Sequence, residues 1–324
     1  MSQVLQSPAT DFAPLPLAGL VSDALPAVDL YLPATARDKA KLYRSAGTPV
    51  VERDLQALRD REIDELWVCT SEYPQISAYL AANLAGILAN ENQPPEERLK
   101  LLNQVVSLTL QESLSCDDPT GSVKATDDLA QHMVDIGLRT DLGIRDVAKV
   151  AKHDFCTFTH SANVASYCTM LARALGITAE VELKEIAAAG MLHDLGKLEI
   201  PLAILNKPAK LTEAEFAIVK LHPTRGFQML RGELSSRQLM MVYQHHERLD
   251  GKGYPVGCVA AEIHPWGKLC AVADVFEALT GKRPYRRPNT AAEALAIMAR
   301  TSGTQFDADM FRCWQSHFVK ELGE

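Results

Sequence analysis

The chain has 324 residues, of which 47% are hydrophobic and 23% are charged. This size and composition predict a folded protein of two domains and exclude a wholly disordered chain. With 33 Lys and Arg against 41 Asp and Glu, the net charge is −8. Such an acidic chain is poorly suited to coat a nucleic-acid polymer, although a local basic or metal-lined pocket could hold a small anion. No segment approaches the ~18 continuous apolar residues of a membrane span.

The cysteine pattern predicts free thiols. Seven cysteines are scattered along the chain, and none belongs to a C-x-x-C pair. A disulfide framework or a zinc-thiolate site would need closer or paired spacing, so the pattern favours a reducing cytoplasm.

The first part of the chain contains no motif with chemistry in it. Residues 1–26 carry no basic stretch typical of a signal peptide and include three prolines before Val21, which predicts a loose leader. Residues 27–91 predict a small α+β module, with strands at 28–32 and 65–69, a short helix at 54–58 and an amphipathic helix from Pro74.

Helical patterns dominate the rest of the sequence. Residues 92–140 predict a helical connector, with a turn at 117–121 and a further helix near Thr126. Residues 141–324 predict an all-α domain in which all of the candidate chemistry lies. The predicted fold class is therefore mainly α, with a helical bundle that follows the small α+β module.

The first candidate cluster follows an apolar helix at 186–192, which continues into His193, Asp194 and Lys197. A buried carboxylate is very costly without a cation, so Asp194 needs a partner. In a continuous helix Lys197 would lie beside whatever His193 binds, because the two are four residues apart. Taken alone, this segment is equally compatible with a helix end that has a buried Asp cap and a solvated Lys.

The second cluster is the adjacent pair His245 and His246, which precedes a glycine-rich turn that ends in Gly253-Tyr254-Pro255. Neighbouring residues on a helix point ~100° apart, which suits two corners of one coordination sphere. The alternative is a polar turn with surface histidines.

The third cluster combines one carboxylate with a basic loop. Asp274 interrupts the apolar helical run 268–279, and Arg283, Arg286 and Arg287 surround Tyr285. Arginines around an aromatic ring suit phosphate and base contact. The alternatives are a buried Asp satisfied by a backbone group and a solvated basic loop.

At these residues the chain resembles the HD-GYP family of bacterial cyclic di-GMP phosphodiesterases, over about residues 150–310. The resemblance rests on several motifs that occur in the same order. They are His160-Ser161-Ala162-Asn163-Val164-Ala165, His193-Asp194-Leu195-Gly196-Lys197, Leu221-His222-Pro223, His245-His246-Glu247 through Gly253-Tyr254-Pro255, Asp274 and Arg283-Pro284-Tyr285-Arg286.

The resemblance implies an all-α bundle that holds two divalent metal ions, with iron or manganese as the best match to mixed nitrogen and oxygen ligands. One ion would be bound by His160, His193, Asp194 and Asp274. The other would be bound by Asp194, as a bridge, and by His222, His245 and His246. A hydroxide between the ions would then attack a phosphodiester phosphorus.

The same resemblance implies substrate contacts around the ions. Lys197 would stabilise the phosphate charge, Tyr254 would line the pocket, and Arg283 and Arg286 would bind the far phosphate or guanine. The residues expected to contact substrate are Lys197, Asp250, Gly253, Tyr254, Arg283 and Arg286.

Three positions depart from the family pattern. Cys156 stands where some members have a Glu that helps to hold a third metal, Gly267-Lys268 replaces Ala-Arg, and Glu277 replaces Asp. A thiol is a poorer ligand for a hard cation, so two ions per chain are expected. With fewer cations around the phosphates, the linear product pGpG should accumulate in excess of GMP.

Two alternatives stay open at this stage. One is hydrolysis of a different cyclic dinucleotide, such as cyclic GMP-AMP. The other is a catalytically weak or silent receptor that binds the dinucleotide and recruits a signalling partner. The amino-terminal module could be regulatory, and the connector helices could transmit a signal or mediate a homodimer.

Overall fold

The computed structural model describes residues 12–21, 27–33, 40–90, 93–115, 119–138, 157–205, 207–281 and 287–322. The chain divides into two compact units, residues 1–101 and 102–324, and the division falls inside the predicted connector. The predicted fold class is confirmed, because the structure is mainly helical with one small antiparallel sheet. Within the described ranges, every helix is too short or too polar to cross a membrane.

The first unit contains a four-stranded antiparallel sheet in the order β1-β4-β2-β3. Its strands are β1 (Phe12–Pro16), β2 (Leu30–Leu32), β3 (Lys41–Arg44) and β4 (Glu65–Cys69). The sequence predicted β2 and β4 at these places. In the central strand β4, Leu66 and Val68 are buried and alternate with more exposed neighbours, as a sheet covered on one face requires. The helices of this unit are α1 (Glu52–Arg59) and α2 (Tyr73–Leu88).

The prediction of a loose leader over residues 1–26 is wrong for residues 12–20. Strand β1 pairs with β4 from Phe12 to Pro16, and Leu15 and Leu17 are fully buried. Two prolines are tolerated there because β1 is an edge strand, in which one row of backbone groups needs no partner. Residues 1–11 lie outside the described residues.

In the second unit, the described elements are all helical. Helix α3 (Pro95–Ser115) contains the boundary between the units, and α4 begins at Pro119, seven residues before the predicted start near Thr126. Proline is readily accepted in the first turn of a helix, which explains the earlier start. The remaining helices are α5 (Thr157–Ala174), α6 (Glu180–Leu192), α7 (Leu202–Leu205), α8 (Glu213–Val219), α9 (His222–Leu230), α10 (Ser236–Gln244), α11 (Pro265–Thr280), α12 (Ala291–Ala299) and α13 (Ala308–Leu322).

Two glycines allow the segments around the histidines to approach closely. A Cβ on Gly190 of α6 would lie 2.8 Å from Cα of Ala165 on α5. A Cβ on Gly196 would lie 2.0 Å from the backbone oxygen of His222, at the start of α9. Both contacts involve backbone atoms, which cannot rotate away, so these positions require glycine. The cysteines that the structure describes are free thiols, as predicted.

The contact at Gly190 yields a stability prediction. Gly190→Ala should lower the free energy of unfolding by about 1–3 kcal/mol, because the added methyl group overpacks the contact between α5 and α6. Gly86→Ala is the matched control, since Gly86 lies in helix α2 and a Cβ added there would meet nothing within 4 Å. The control should be stabilising by about 0.5–1 kcal/mol. Thermal and denaturant unfolding measure both, and an equal effect of the two changes would contradict the close approach.

Candidate metal centre

Five segments of the second unit bring histidines and carboxylates together, mostly at helix ends. Helix α6 ends one residue before His193 and Asp194, helix α9 begins at His222, and helix α10 ends one residue before His245 and His246. His160 and Asp274 lie within helices α5 and α11. Of these residues, only His246 is more than marginally exposed.

Asp194 stands at the centre of the cluster, with one oxygen facing each of two groups of histidines. Its Oδ2 lies 3.5 Å from Nε2 of both His160 and His193. Its Oδ1 lies 3.3 Å from Nε2 of His222 and 3.8 Å from Nε2 of His245. Two sets therefore have ligand atoms within 4.8 Å of one another and share this carboxylate: His160, His193 and Asp194, and Asp194, His222, His245 and His246.

Asp274 also reaches both groups. Its Oδ1 is 3.2 Å from Nε2 of His160, and its Oδ2 is 3.8 Å from Nδ1 of His246. The structure thus brings together all seven residues that the sequence assigned to metal binding.

Backbone carbonyl groups orient three of the imidazole rings. Nδ1 of His193, His222 and His245 lies 2.8 Å from the carbonyl oxygen of the residue three positions earlier in each case. A neutral ring that donates its Nδ1–H to a carbonyl has its lone pair on Nε2. Each Nε2 faces Asp194, so the three rings are held in the tautomer that a metal ligand needs.

The chemistry of these donors fits a divalent cation. Nε2 of His193 and Oδ1 of Asp194 are buried and make no hydrogen bond. Burial lowers the pKa of His193 and holds the pKa of His245 well below its usual value. Burial also lowers the pKa of His246 to about 3. Neutral imidazoles are therefore available for coordination at neutral pH.

The carboxylates are ionised in the same place. Burial alone would raise the pKa of Asp194, but Lys197 and His193 hold it well below the usual range. Burial would likewise raise the pKa of Asp274, and the hydrogen bond and charge of His160 outweigh that effect and lower it. Mixed imidazole and carboxylate donors of this kind are typical ligands of first-row divalent metals.

Lys197 lies beside Asp194, and the helix that would have aligned it with His193 does not continue. Helix α6 ends at Leu192, and residues Leu195–Glu199 form a 3₁₀ turn. The turn places Nζ of Lys197 2.5 Å from Oδ2 of Asp194. The ammonium group therefore reaches the candidate metal centre through the carboxylate.

The loop after His246 is held in place by a buried carboxylate. Glu247 accepts hydrogen bonds from the backbone N–H groups of Val256, Gly257 and Cys258 at 2.8–3.1 Å. The ring of Tyr254 then lies 4.6 Å from the ring of His246, measured between centroids. The aromatic ring of the predicted glycine-rich turn therefore lies directly beside His246.

A cleft of about 310 Å³ opens beside this loop. Gly253 and Tyr254 line it, and so do residues from α8 and its C-terminal end, α11 and the turn near residue 305. Its cationic lining residues are Lys220, Arg248 and Lys252.

Asp250, which the sequence assigned to substrate, makes other contacts in the structure. Its two carboxylate oxygens accept hydrogen bonds from Nε and Nη2 of Arg248 at 3.0 and 2.8 Å. Nη1 of Arg248 donates to Oε1 of Gln305 at 2.8 Å. Asp250 does not line the cleft itself and instead orients Arg248, which does.

Sequence reasoning missed four residues of this region: Lys220, Glu247, Glu277 and Gln305. Glu277 contacts Nδ1 of His160. Its sequence signals are the family pattern, in which Asp is usual at this position, and the spacing of three residues from Asp274, which places both on one helix face. Cys156, Arg283 and Arg286 lie outside the described residues.

A family model described as "HD domain" matches residues 148–310. Cyclic di-GMP phosphodiesterase PA4108 from Pseudomonas aeruginosa is 32% identical over 287 residues, which cover 84% of this chain and 68% of that protein. The chain belongs to the HD domain family. The resemblance inferred from the motifs is therefore confirmed, and HD domains of this kind are metal-dependent hydrolases.

Other relatives match over shorter stretches. The chain is 38% identical over 183 residues to 3′3′-cGAMP-specific phosphodiesterase 1 from Vibrio cholerae, covering 52% of this chain and 42% of that protein. It is 41% identical over 141 residues to the cyclic di-GMP phosphodiesterase response regulator RpfG from Xanthomonas campestris, covering 43% of this chain and 37% of the relative. The chain thus spans less than half the length of these two proteins.

Among solved structures, the chain resembles Bd1817, an HDG"Y"P protein from Bdellovibrio bacteriovorus. The TM-score is 0.65 at 19% identity, and the match covers 94% of this chain and 98% of that one. At this identity the likeness shows a shared fold.

The shared carboxylate predicts how metal content responds to mutation. Asp194→Asn should reduce the metal bound per chain to near zero, because it weakens both groups of ligands at once. His193→Ala should remove metal from one group and leave the other able to bind. Elemental analysis of the purified variants measures both.

The control is Asp127→Asn, which alters an exposed carboxylate paired with Lys184. It should keep the wild-type metal content, and circular dichroism should report unchanged helix content in all three variants. A metal-replete Asp194→Asn variant would contradict the bridging role.

Proposed function

We propose that the chain is a metal-dependent phosphodiesterase that hydrolyses cyclic di-GMP, mainly to linear pGpG. The observation that carries this proposal is the sharing of Asp194 between two groups of histidines, directly beside a cleft with cationic walls. Relatives named as cyclic di-GMP phosphodiesterases support the substrate.

The proposed centre holds two divalent ions, with iron or manganese as the expected metals. When bound, such ions polarise phosphoryl oxygens and lower the pKa of coordinated water. The protein's own residues provide the geometry. Asp194 and Asp274 remain ionised, and six of the seven ligands are almost fully buried, whereas His246 borders the cleft.

We assign the substrate contacts to two sides of the cleft. Lys197 stabilises negative charge on the phosphate next to Asp194, and Tyr254 packs a guanine or ribose against the loop that contains Gly253. Lys220 and Lys252 face the cleft and suit the second phosphate. Asp250 acts indirectly, through its hold on Arg248. Arg283 and Arg286 remain assigned to the far phosphate or guanine.

The proposal also states that each chain binds two ions and that Cys156 does not bind a metal. The second hydrolysis is disfavoured when fewer cations surround the phosphates, so pGpG accumulates. The amino-terminal module is proposed to be regulatory, and a reducing cytoplasm suits the free thiols.

Hydrolysis of cyclic GMP-AMP is a second candidate, because one relative is named as specific for 3′3′-cGAMP. The rival from another class is a receptor that binds the dinucleotide without cleaving it. The full set of assembled histidines and the Lys197–Asp194 contact favour catalysis, since a silent receptor does not need them.

The product assay tests the proposal directly. Metal-loaded wild type incubated with cyclic di-GMP should yield pGpG in excess of GMP on chromatography, and His222→Ala should form neither product. Cyclic GMP-AMP at equal concentration should be cleaved more slowly. His317→Ala is the control, because His317 bonds the backbone of Cys313 and lies outside both ligand groups.

Binding of cyclic di-GMP without any cleavage, in protein shown to contain metal, would contradict the enzymatic function. Faster cleavage of cyclic GMP-AMP would move the substrate assignment to the second candidate.

A further inference from the structure

A network of hydrogen-bonded, buried polar side chains extends from the metal ligand His160 into the helical bundle of the second unit. Its members lie on α3, α5 and α11, and each is at most 6% exposed. They are Asn103, His160, Asn163, Ser166 and Glu277. Burying such groups is costly unless they are hydrogen-bonded, so their placement calls for a physical reason.

The hydrogen bonds of this network all donate toward the carboxylate of Glu277, from Ser166 at one end and from His160 at the other. The Ser166 hydroxyl donates to Oδ1 of Asn103 at 3.3 Å, and Nδ2 of Asn103 donates to Oδ1 of Asn163 at 3.0 Å. Nδ2 of Asn163 then donates to Oε1 of Glu277 at 3.4 Å. The other oxygen of Glu277 contacts Nδ1 of His160.

The direction of donation fixes the tautomer of the last ring. Because Asn163 presents its NH₂ group to Glu277, that position requires an acceptor, and a carboxylate can accept on both of its oxygens. The carboxylate therefore accepts the Nδ1–H of His160, so Nε2 is the nitrogen that the neutral ring would offer to a metal. That atom lies 3.2 Å from Asp274 and 3.5 Å from Asp194.

We infer that Glu277, Asn163 and Asn103 are positioning residues that set the ligand tautomer of His160 and thereby the metal affinity of the group His160, His193 and Asp194. His193, His222 and His245 obtain the same result from carbonyls of their own segments. His160 obtains it from another helix. The inference rests on the proposed metal centre and gives a role to residues that the sequence left without one.

The test replaces carboxylates by amides, and amides by carboxylates, at positions of this network, which changes the hydrogen-bonding groups but hardly the shape of the side chains. In Glu277→Gln, the amide must offer its oxygen to Asn163 and therefore its NH₂ to His160, which favours the wrong tautomer. Mn²⁺ affinity at this group should fall about 10–100-fold. Asn163→Asp should also weaken binding, because it places two carboxylates face to face.

The double variant Asn163→Asp with Glu277→Gln should restore wild-type Mn²⁺ binding. The new carboxylate at position 163 would accept from both Asn103 and the new amide at position 277, whose oxygen then faces the Nδ1–H of His160. Moving the carboxylate one step further, in Asn103→Asp with Glu277→Gln, should restore binding by the same logic. A purely structural role for these residues predicts no such rescue.

The full-length protein is treated with chelator and then titrated with Mn²⁺. Electron paramagnetic resonance measures the concentration of free Mn²⁺ at each step, which gives the affinity. Circular dichroism and thermal unfolding of the metal-free variants establish folding. Glu293→Gln, a carboxylate-to-amide change at the start of α12, is the control and should bind Mn²⁺ as wild type does.

Unchanged Mn²⁺ binding in Glu277→Gln overturns the inference, and so does failure of both double variants to bind better than Glu277→Gln. If Glu277→Gln does not fold, recovery of folding and Mn²⁺ binding in either double variant supports the inference, and recovery in neither overturns it. A wild-type chain that binds no Mn²⁺ overturns the metal centre and this inference with it, whereas catalytic turnover plays no part in the readout.

Discussion

The structure of the second unit depends on one buried carboxylate. Asp194 is ionised, almost fully enclosed and within 3.8 Å of four imidazole nitrogens. A charge in that position is tolerable only with compensating positive charge, which Lys197 supplies in part. The side chains that could hold a cation beside Asp194 come from five chain segments, and most of them lie at helix ends, where the backbone can change direction.

Close backbone approach accompanies this convergence of segments. The 3₁₀ turn after Asp194 approaches the start of α9 at Gly196, and α6 approaches α5 at Gly190. Helix ends also leave carbonyl groups near the histidines that follow them. His193 and His245 use such carbonyls to hold their Nδ1–H, so the geometry that collects the ligands also selects their tautomers.

The sequence predicted the parts of the site that depend on local spacing. His193 with Asp194, and His245 with His246, are readable because the ligand pairs are adjacent in the chain. The loss of helix after Leu192, which redirects Lys197 to Asp194, depends on tertiary packing at Gly196. The sequence did not predict strand β1, because its prolines are acceptable only in an edge strand and the sequence pattern does not show which strand lies at the edge. The contacts among Asn103, Asn163 and Glu277 join residues 60 and 114 positions apart, beyond any local pattern.

The segment 245–258 joins metal binding and substrate binding in one covalent unit. It begins with two histidines of the centre, and its carboxyl-terminal part is tied back by Glu247 through three backbone N–H groups. Gly253 must be glycine, because a Cβ there would lie 2.5 Å from Arg248 N and Glu247 Cα. The backbone N–H of Tyr254 donates to the carbonyl oxygen of His246 at 3.2 Å, which also keeps Tyr254 beside that histidine. Glu247 follows His246 directly, so the carboxylate that holds the loop is anchored next to two metal ligands, and the wall of the cleft and the metal centre share one short segment of chain.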